Sequence, residues 1–161
     1  MPETKAAVKD KKPSKNARKS AARLVAAQLV YEYFLTKTPL AELAADYQYN
    51  RVNTPIDEEG EDKMVPADII MLKHILDTVA VQEKVLTDLV QGQRMNKNKE
   101  PELLLEAIML CAAAELFTSA DQGIDKPIII NDYLHVTRAF FDDNEVHFVN
   151  GTLDSIAKLL S

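Results

Sequence analysis

Few residues of this chain could do catalytic chemistry, and their spacing does not favour an active site. The single cysteine, Cys111, stands in an apolar run, where burial would raise its pKa and suppress the reactive thiolate. His74, His135 and His147 fall in three separate segments, so a metal site would need all three to converge without cysteine ligands. The adjacent carboxylates 142–143 point in different directions, which suits a helix junction better than general acid–base catalysis by a pair of carboxylates. We therefore expect no catalytic residues, no metal site and no cofactor.

Motifs that carry enzyme chemistry are also missing from the sequence. It has no glycine-rich phosphate loop, no dinucleotide fingerprint, no Gly-x-Ser-x-Gly and no His-Glu-x-x-His. Five carboxylates cluster in residues 57–62, but they lack the Asp-x-Asp-x-Asp-Gly order of a calcium loop, so we expect a solvated acidic loop. The chain is predicted not to be an enzyme.

Charge is divided unevenly along the 161 residues. Residues 1–23 carry eight basic and two acidic side chains, whereas the remainder carries eleven basic and twenty-three acidic ones. A cationic arm on an acidic body is typical of a protein that uses its tail on a polyanion, although a solvated tail that only aids solubility explains the charge equally well. The lone cysteine, and the lack of a signal peptide or a long apolar run, predict a cytoplasmic protein without membrane spans.

The elements that must position these side chains are predicted to be helices. Four glycines and seven prolines supply too few turns for an all-β fold, and no segment alternates with a period of two. Residues 1–16 are predicted to form a disordered basic arm, because they have too few large apolar side chains to repay the entropy of ordering. Residues 17–161 are predicted to form a helical domain of about seven helices.

Apolar positions at steps of three and four define these helices. Residues 103–117 are almost entirely apolar and predict a central helix, with Pro101 in its first turn. Gly92 is predicted to end the third helix, and residues 85–92 either continue that helix or form one of their own. The clearest apolar stripes are Leu24, Ala27, Tyr31 and Phe34 in the first helix, Ile130, Leu134, Thr137 and Phe141 in the sixth, and Val149, Leu153, Ile156 and Leu160 in the last.

The segment Phe148-Val149-Asn150-Gly151 places a turn signal within a stretch whose apolar spacing is helical. Asn-Gly is ordinarily a hairpin signal, and glycine inside a helix costs about 1 kcal/mol relative to alanine. The surrounding period nevertheless predicts that this segment is helical, which would leave Asn150 able to present its amide. The alternative is a turn, with the helix starting at Thr152.

These residues, together with the first helix, resemble the NusB family of bacterial transcription antitermination factors. Residues 22–31 read Ala-Arg-Leu-Val-Ala-Ala-Gln-Leu-Val-Tyr, similar to the family's Ala-Arg-x-x-Ala-x-Gln-x-x-Tyr. Residues 130–132 read Ile-Asn-Asp where the family has Ile-Asn-Glu, and Arg138 falls where a lysine is usual. Residues 147–154 resemble the family's Lys-Phe-Val-Asn-Gly-x-Leu-Asp without a gap, with histidine in the first position.

The resemblance implies an all-α fold of two packed helical subdomains. It also implies a function. NusB pairs with a small-subunit ribosomal protein, also called NusE, and the heterodimer binds the boxA segment of nascent RNA. That complex helps the RNA polymerase elongation complex to read through terminators in ribosomal RNA operons. Single-stranded, boxA-like RNA and the ribosomal protein are therefore the expected partners.

Site residues carry over from the resemblance position by position. Contacts to RNA phosphates are expected from Arg18, Lys19 and Arg23. Arg138, His147, Phe148 and Asn150 are expected on or beside the same surface, with Phe148 stacking on a base and Asn150 bonding to a base edge. Packing of Phe148 in the core is an equally open alternative. The protein partner is expected to contact Tyr31, Glu102 and Glu106, because an acidic helix attracts a basic ribosomal protein.

Two other interpretations stay open at this point. One is a NusB-like protein-interaction module with little RNA affinity of its own. The other is an enzyme fragment, because a similar helical domain precedes the catalytic region of some ribosomal RNA cytosine methyltransferases. The antitermination hypothesis requires basic side chains from both ends of the chain to meet in one patch.

Overall fold

The computed structural model describes residues 13–50, 65–94 and 101–161, and all regular secondary structure in those ranges is helical. The seven helices in chain order are α1 (Lys15–Thr36), α2 (Leu40–Asn50), α3 (Ile69–Gln93), α4 (Leu103–Phe117), α5 (Ser119–Gln122), α6 (Lys126–Arg138) and α7 (Asp143–Leu159). The all-α prediction is confirmed. Residues 1–12 of the predicted basic arm, and the acidic cluster at 57–62, lie outside the described residues.

Helix α1 begins at Lys15, two residues before the predicted start, because Ser14 caps it. The Ser14 hydroxyl accepts a hydrogen bond from the backbone N–H of Ala17 at 3.0 Å, which satisfies a donor that the first turn would leave free. At the other end, Lys37 adopts a left-handed conformation with φ 62°, and its N–H donates to the carbonyl of Tyr33. Pro39 follows and prevents the helix from continuing.

Helix α3 consists of two helical segments joined at a kink. Asp68 caps it by accepting a hydrogen bond from the N–H of Met71 at 3.1 Å. The bend is at Gln82, whose φ of −108° and ψ of 22° are not helical. Residues 85–92 therefore belong to the second segment, after the kink. Gly92 was expected to end the helix but lies inside it, because the last helical residue is Gln93 and the N–H of Arg94 still bonds to Val90.

Helix α4 is the centre of the fold, as predicted. Every residue from 107 to 116 is buried, and the helix packs against α1, α3, α6 and α7. Pro101 precedes the N-cap residue Glu102 and is therefore outside the first turn, contrary to the prediction. Since α4 is enclosed on all sides, any polar side chain along residues 107–116 must find its partner inside the protein.

The C-terminal helices pack as an antiparallel pair against α4. Gly123 ends α5 in a left-handed conformation with φ 67°, and Pro127 occupies the first turn of α6, where its missing N–H costs nothing. Helix α7 begins at Asp143, because the N–H of Asp142 donates to the Glu145 carboxylate at 3.2 Å. Asn150 and Gly151 therefore lie within α7, and the alternative of a turn before Thr152 is excluded.

Buried side chains from six helices form one continuous core, with α4 common to both halves of the molecule. Helices α1, α2 and α3 pack on one another, and α6 packs on α7. Among the described helices, none is long and apolar enough to cross a bilayer.

Candidate nucleic-acid interface

The first turn of α1 presents basic side chains next to the start of α3. Arg18 is exposed and Lys19 is partly exposed. The carbonyl of Arg18 accepts a hydrogen bond from the N–H of Asp68 at 2.9 Å, which ties this turn to the N-cap of α3. The two cations are therefore held at a defined place on the body of the protein.

Arg23 does not belong to that exposed set, and its expected contact with RNA phosphates is corrected. Its side chain is only 4% exposed. Nε and Nη2 donate to the two carboxylate oxygens of Glu115 at 2.7 and 2.9 Å, and Nη1 donates to Asp132 at 2.7 Å. With three of its donors engaged inside the protein, the guanidinium is a structural cation that joins α1 to α4 and α6.

The ion pair belongs to a larger buried network. The hydroxyl of Tyr133 donates to Glu115 at 2.6 Å, and the hydroxyl of Ser20 donates to Asp132 at 2.9 Å. Burial alone would lower the pKa of the Arg23 guanidinium, but the hydrogen bonds and charge of Glu115 outweigh it and hold that pKa above its ordinary value. Burial also raises the pKa of the Tyr133 hydroxyl, and the negative charge of Glu115 adds to that effect.

Sequence reasoning missed Glu115 and Asp132 as partners of Arg23. A signal existed, because Glu115 interrupts a helix whose neighbouring residues are all apolar. A carboxylate that must be buried requires a cation or several donors. The short alanine-rich stretch around Arg23 could have been recognised as the place to look for that cation.

Helix α6 presents an exposed polar stripe formed by Asn131, His135 and Arg138. The start of α1 lies along one flank of this helix, since Ser20 bonds to Asp132 and a groove there is lined by α1 and by His135. Helix α7 lies along the other flank, where Asn150 and Asn131 line a common groove. Side chains from both ends of the chain are therefore brought to the two sides of one helix.

The three predicted residues of α7 divide between two faces. His147 and Asn150 are exposed, and a separation of three residues places them on one side of the helix. Phe148 is partly buried and packs against the core. At 3.6 residues per turn it points about 160° away from Asn150. Of the two alternatives for Phe148, its position favours packing on the core over stacking on a base.

The residues expected at the protein partner lie on α1 and at the start of α4. Tyr31 is partly exposed and packs on the edge of the core. Glu102 is exposed at the N-cap of α4, and Glu106 is partly exposed one turn later. These side chains are accessible enough to contact a second protein.

The residues first considered for catalysis have structural surroundings. Cys111 is fully buried, and burial raises the pKa of its thiol far above its ordinary value. His74 is 3.0 Å from the hydroxyl of Thr118, whereas His135 and His147 are exposed on separate helices. Within the described residues, no three side chains of histidine, cysteine, aspartate or glutamate are grouped to hold a metal ion.

Comparison with known proteins agrees with the fold and with the sequence motifs. The model of the NusB family matches residues 20–158. The transcription antitermination protein NusB of Bartonella tribocorum is 31% identical over 148 residues, which cover 91% of this chain and 92% of the relative. The NusB protein of Sphingopyxis alaskensis is 30% identical over 142 residues, covering 87% and 92%, and that of Rhizobium johnstonii is 30% identical over 152 residues, covering 93% and 92%. With the family model matching nearly the whole helical domain, this chain belongs to the NusB family.

Proposed function

We propose that this protein is an RNA-binding transcription antitermination factor that binds single-stranded, boxA-like RNA together with a small-subunit ribosomal protein acting as NusE. Through that complex it acts on the RNA polymerase elongation complex. The observation that carries the proposal is the position of α6, whose exposed stripe ends at Arg138 and lies between the basic start of α1 and the exposed face of α7. RNA laid along this stripe can reach side chains from all three helices.

The chemistry of these side chains suits single-stranded RNA. Arg18 and Arg138 are exposed cations and Lys19 is a partly exposed one, and all three can neutralise phosphates. His147 adds a donor, and Asn150 can bond to a base edge that is unstacked in a single strand. Arg23 and Phe148 are not part of the proposed contact set, because the first is paired internally and the second packs on the core.

The proposed protein partner is a basic ribosomal protein that docks on Tyr31, Glu102 and Glu106. Opposite charge accelerates encounter and disfavours wrong partners. The aromatic side chain of Tyr31 offers contact area at low entropic cost, which is a frequent feature of interface anchors. The acidic balance of the chain after residue 23 favours such a basic partner.

A second candidate function is a protein-interaction module with little RNA affinity of its own. One observation favours it. Arg23, a cation that the resemblance assigns to RNA, is held by Glu115 and Asp132, which leaves fewer free basic side chains at the surface.

A titration of boxA-type RNA, with and without the ribosomal partner, separates the two candidates. The antitermination proposal expects binding that weakens when Arg18 and Lys19 are both changed to alanine. The affinity of that variant should also depend less steeply on salt, by about 0.7 in the log–log slope for each phosphate that is no longer neutralised. Lys84→Ala is the matched control, because Lys84 is 88% exposed and lies far from Arg18. Its neighbour Glu83 accepts a hydrogen bond from Tyr33, which is near the opposite end of α1. RNA binding that is absent even with the partner present would leave only the module.

A further inference from the structure

A groove with a volume of about 330 Å³ runs between α6 and α7. Its walls include Lys126, Ile130, Asn131 and Leu134 from α6, and Asn150 and Ala157 from α7. It adjoins the exposed stripe of α6 described above, because Asn131 belongs to both. The groove is therefore accessible from the surface proposed to bind RNA.

Two side-chain amides in this groove have unused hydrogen-bonding capacity. Asn131 and Asn150 are both exposed, and neither amide has a hydrogen-bond partner among the residues that the structure describes. Each amide offers two N–H donors and one carbonyl acceptor. Because they project from two different helices, they can approach one ligand from two sides.

The remaining walls complement a nucleobase. Ile130, Leu134 and Ala157 supply apolar surface for the face of a ring, while the two amides can pair with its polar edge, as asparagine does with adenine. An apolar protein side chain would fill the same space but would leave both amides unpaired, which weakens binding.

The charges around the groove are compatible with a nucleotide. Lys126 lies five residues before Asn131, a rise of about 7.5 Å along α6, so its ammonium group can meet a phosphate while Asn131 meets the base. Asp154 also lines the groove, but its carboxylate is paired with Lys158 at 3.0 Å, which offsets its charge.

We propose that this groove holds one unstacked nucleotide of single-stranded RNA, with Asn131 and Asn150 reading its base edge. The proposal rests on the proposed RNA-binding function and assigns base discrimination to a defined place. It names Asn131 as a specificity residue together with Asn150, and Lys126 as the phosphate contact of the same nucleotide.

The test uses the full chain, with the ribosomal partner present, and a set of short single-stranded RNAs that differ at one base. In the double variant Asn131→Ala/Asn150→Ala, the ratio between the tightest and weakest RNA of the set should fall by about tenfold. The salt dependence should stay unchanged, since the amides do not neutralise phosphates. Gln48→Ala, which removes an exposed amide from α2, should change neither quantity.

Other results would overturn the proposal in distinguishable ways. If wild-type protein binds RNA and the double variant keeps the full base preference, the groove assignment fails while the proposed function stands. If wild-type protein with its partner does not bind any RNA of the set, both fail. Side-chain NMR signals of Asn131 and Asn150 that shift with a basic peptide, but not with RNA, would assign the groove to a protein instead.

Discussion

Arg23 and Glu115 face each other across the interface between α1 and α4, joined by two hydrogen bonds of 2.7 and 2.9 Å. Neither side chain is more than 4% exposed. Removing two charges from water is favourable only if nearly every donor and acceptor finds a partner, and here Asp132 and Tyr133 supply the additional ones. The pair therefore sets the position of α1 on the core, and with it the position of the basic turn at Arg18.

Breaking this pair on one side should be costly. Glu115→Ala leaves the buried guanidinium of Arg23 with Asp132 alone, and we expect the free energy of unfolding to fall by about 3–5 kcal/mol. Urea denaturation followed by circular dichroism measures this. The exposed pair of Lys84 and Asp88 is the control, since Lys84→Ala should cost less than about 1 kcal/mol. Equal costs for the two variants would contradict the structural role of the buried pair.

Stability should decrease at alkaline pH. Burial raises the pKa of the Cys111 thiol above its ordinary value of 9.0, and burial with the charge of Glu115 raises the pKa of the Tyr133 hydroxyl above its ordinary value of 10.0. The unfolded chain therefore loses these protons at lower pH than the folded chain. Their contribution is fully present below pH 9.0 and is lost progressively as pH rises through these values.

Denaturant titrations under reducing conditions across this pH range measure the effect, and Cys111→Ala separates the two groups. In that variant, the decline in the free energy of unfolding should begin near the ordinary pKa of tyrosine, 10.0, rather than near 9.0. A decline identical to that of wild type would show that the Cys111 thiol does not contribute.

Phe148 and Asn150 should behave oppositely on substitution. Because Phe148 packs against the core, Phe148→Ala should destabilise the protein by about 1–3 kcal/mol, less than a fully buried ring would, while the folded fraction keeps its RNA affinity. Asn150→Ala removes an exposed amide and should leave the free energy of unfolding within about 0.5 kcal/mol of wild type. Thermal melts and RNA titrations of both variants test these two expectations. Unchanged stability with a large loss of RNA affinity in Phe148→Ala would instead indicate base stacking.

The basic arm should add salt-dependent RNA affinity. A chain lacking residues 1–12 loses four lysines but keeps Ser14, so the N-cap of α1 remains intact. We expect weaker RNA binding and a smaller dependence on salt, by about 0.7 in the log–log slope for each phosphate that the arm would otherwise neutralise. A second chain with the same four lysines changed to glutamine controls for length. An affinity and slope equal to those of the full chain would refute a role for the arm in RNA binding.

The sequence predicted the buried face correctly for some helices and only in part for others. In α7, Val149, Leu153 and Ile156 are all fully buried, as their spacing indicates. In α1 the predicted stripe is confirmed at Ala27, which is fully buried, whereas Leu24 and Tyr31 are only partly buried. Ala22 and Ala26, which lie outside the predicted stripe, are also fully buried. Patterns built on large apolar side chains overlook alanines, and the buried face of α1 contains three of them near its centre, Ala22, Ala26 and Ala27.

In α6 the predicted stripe is only partly correct, because Thr137 is fully buried as expected but Ile130 and Leu134 are not. Ile129 and Tyr133 are fully buried, whereas Ile130 and Leu134 lie at the edge and line the groove with α7. Tyr133 could not be assigned to the core from its type, because its hydroxyl requires a buried partner. That partner, Glu115, is eighteen residues earlier in the chain.

The sequence alone determined the helical class and the central position of α4, because these follow from the spacing of apolar residues. The structure decided between the two alternatives for the Asn150–Gly151 step, since the cap at Asp142 and Glu145 begins α7 before it. Only the tertiary structure decided that Arg23 is internal and that Asn131 and Asn150 line one groove. The charge of a side chain can be read from its type, but whether it faces water or a buried carboxylate depends on contacts between residues far apart in the chain, for which local spacing carries no signal.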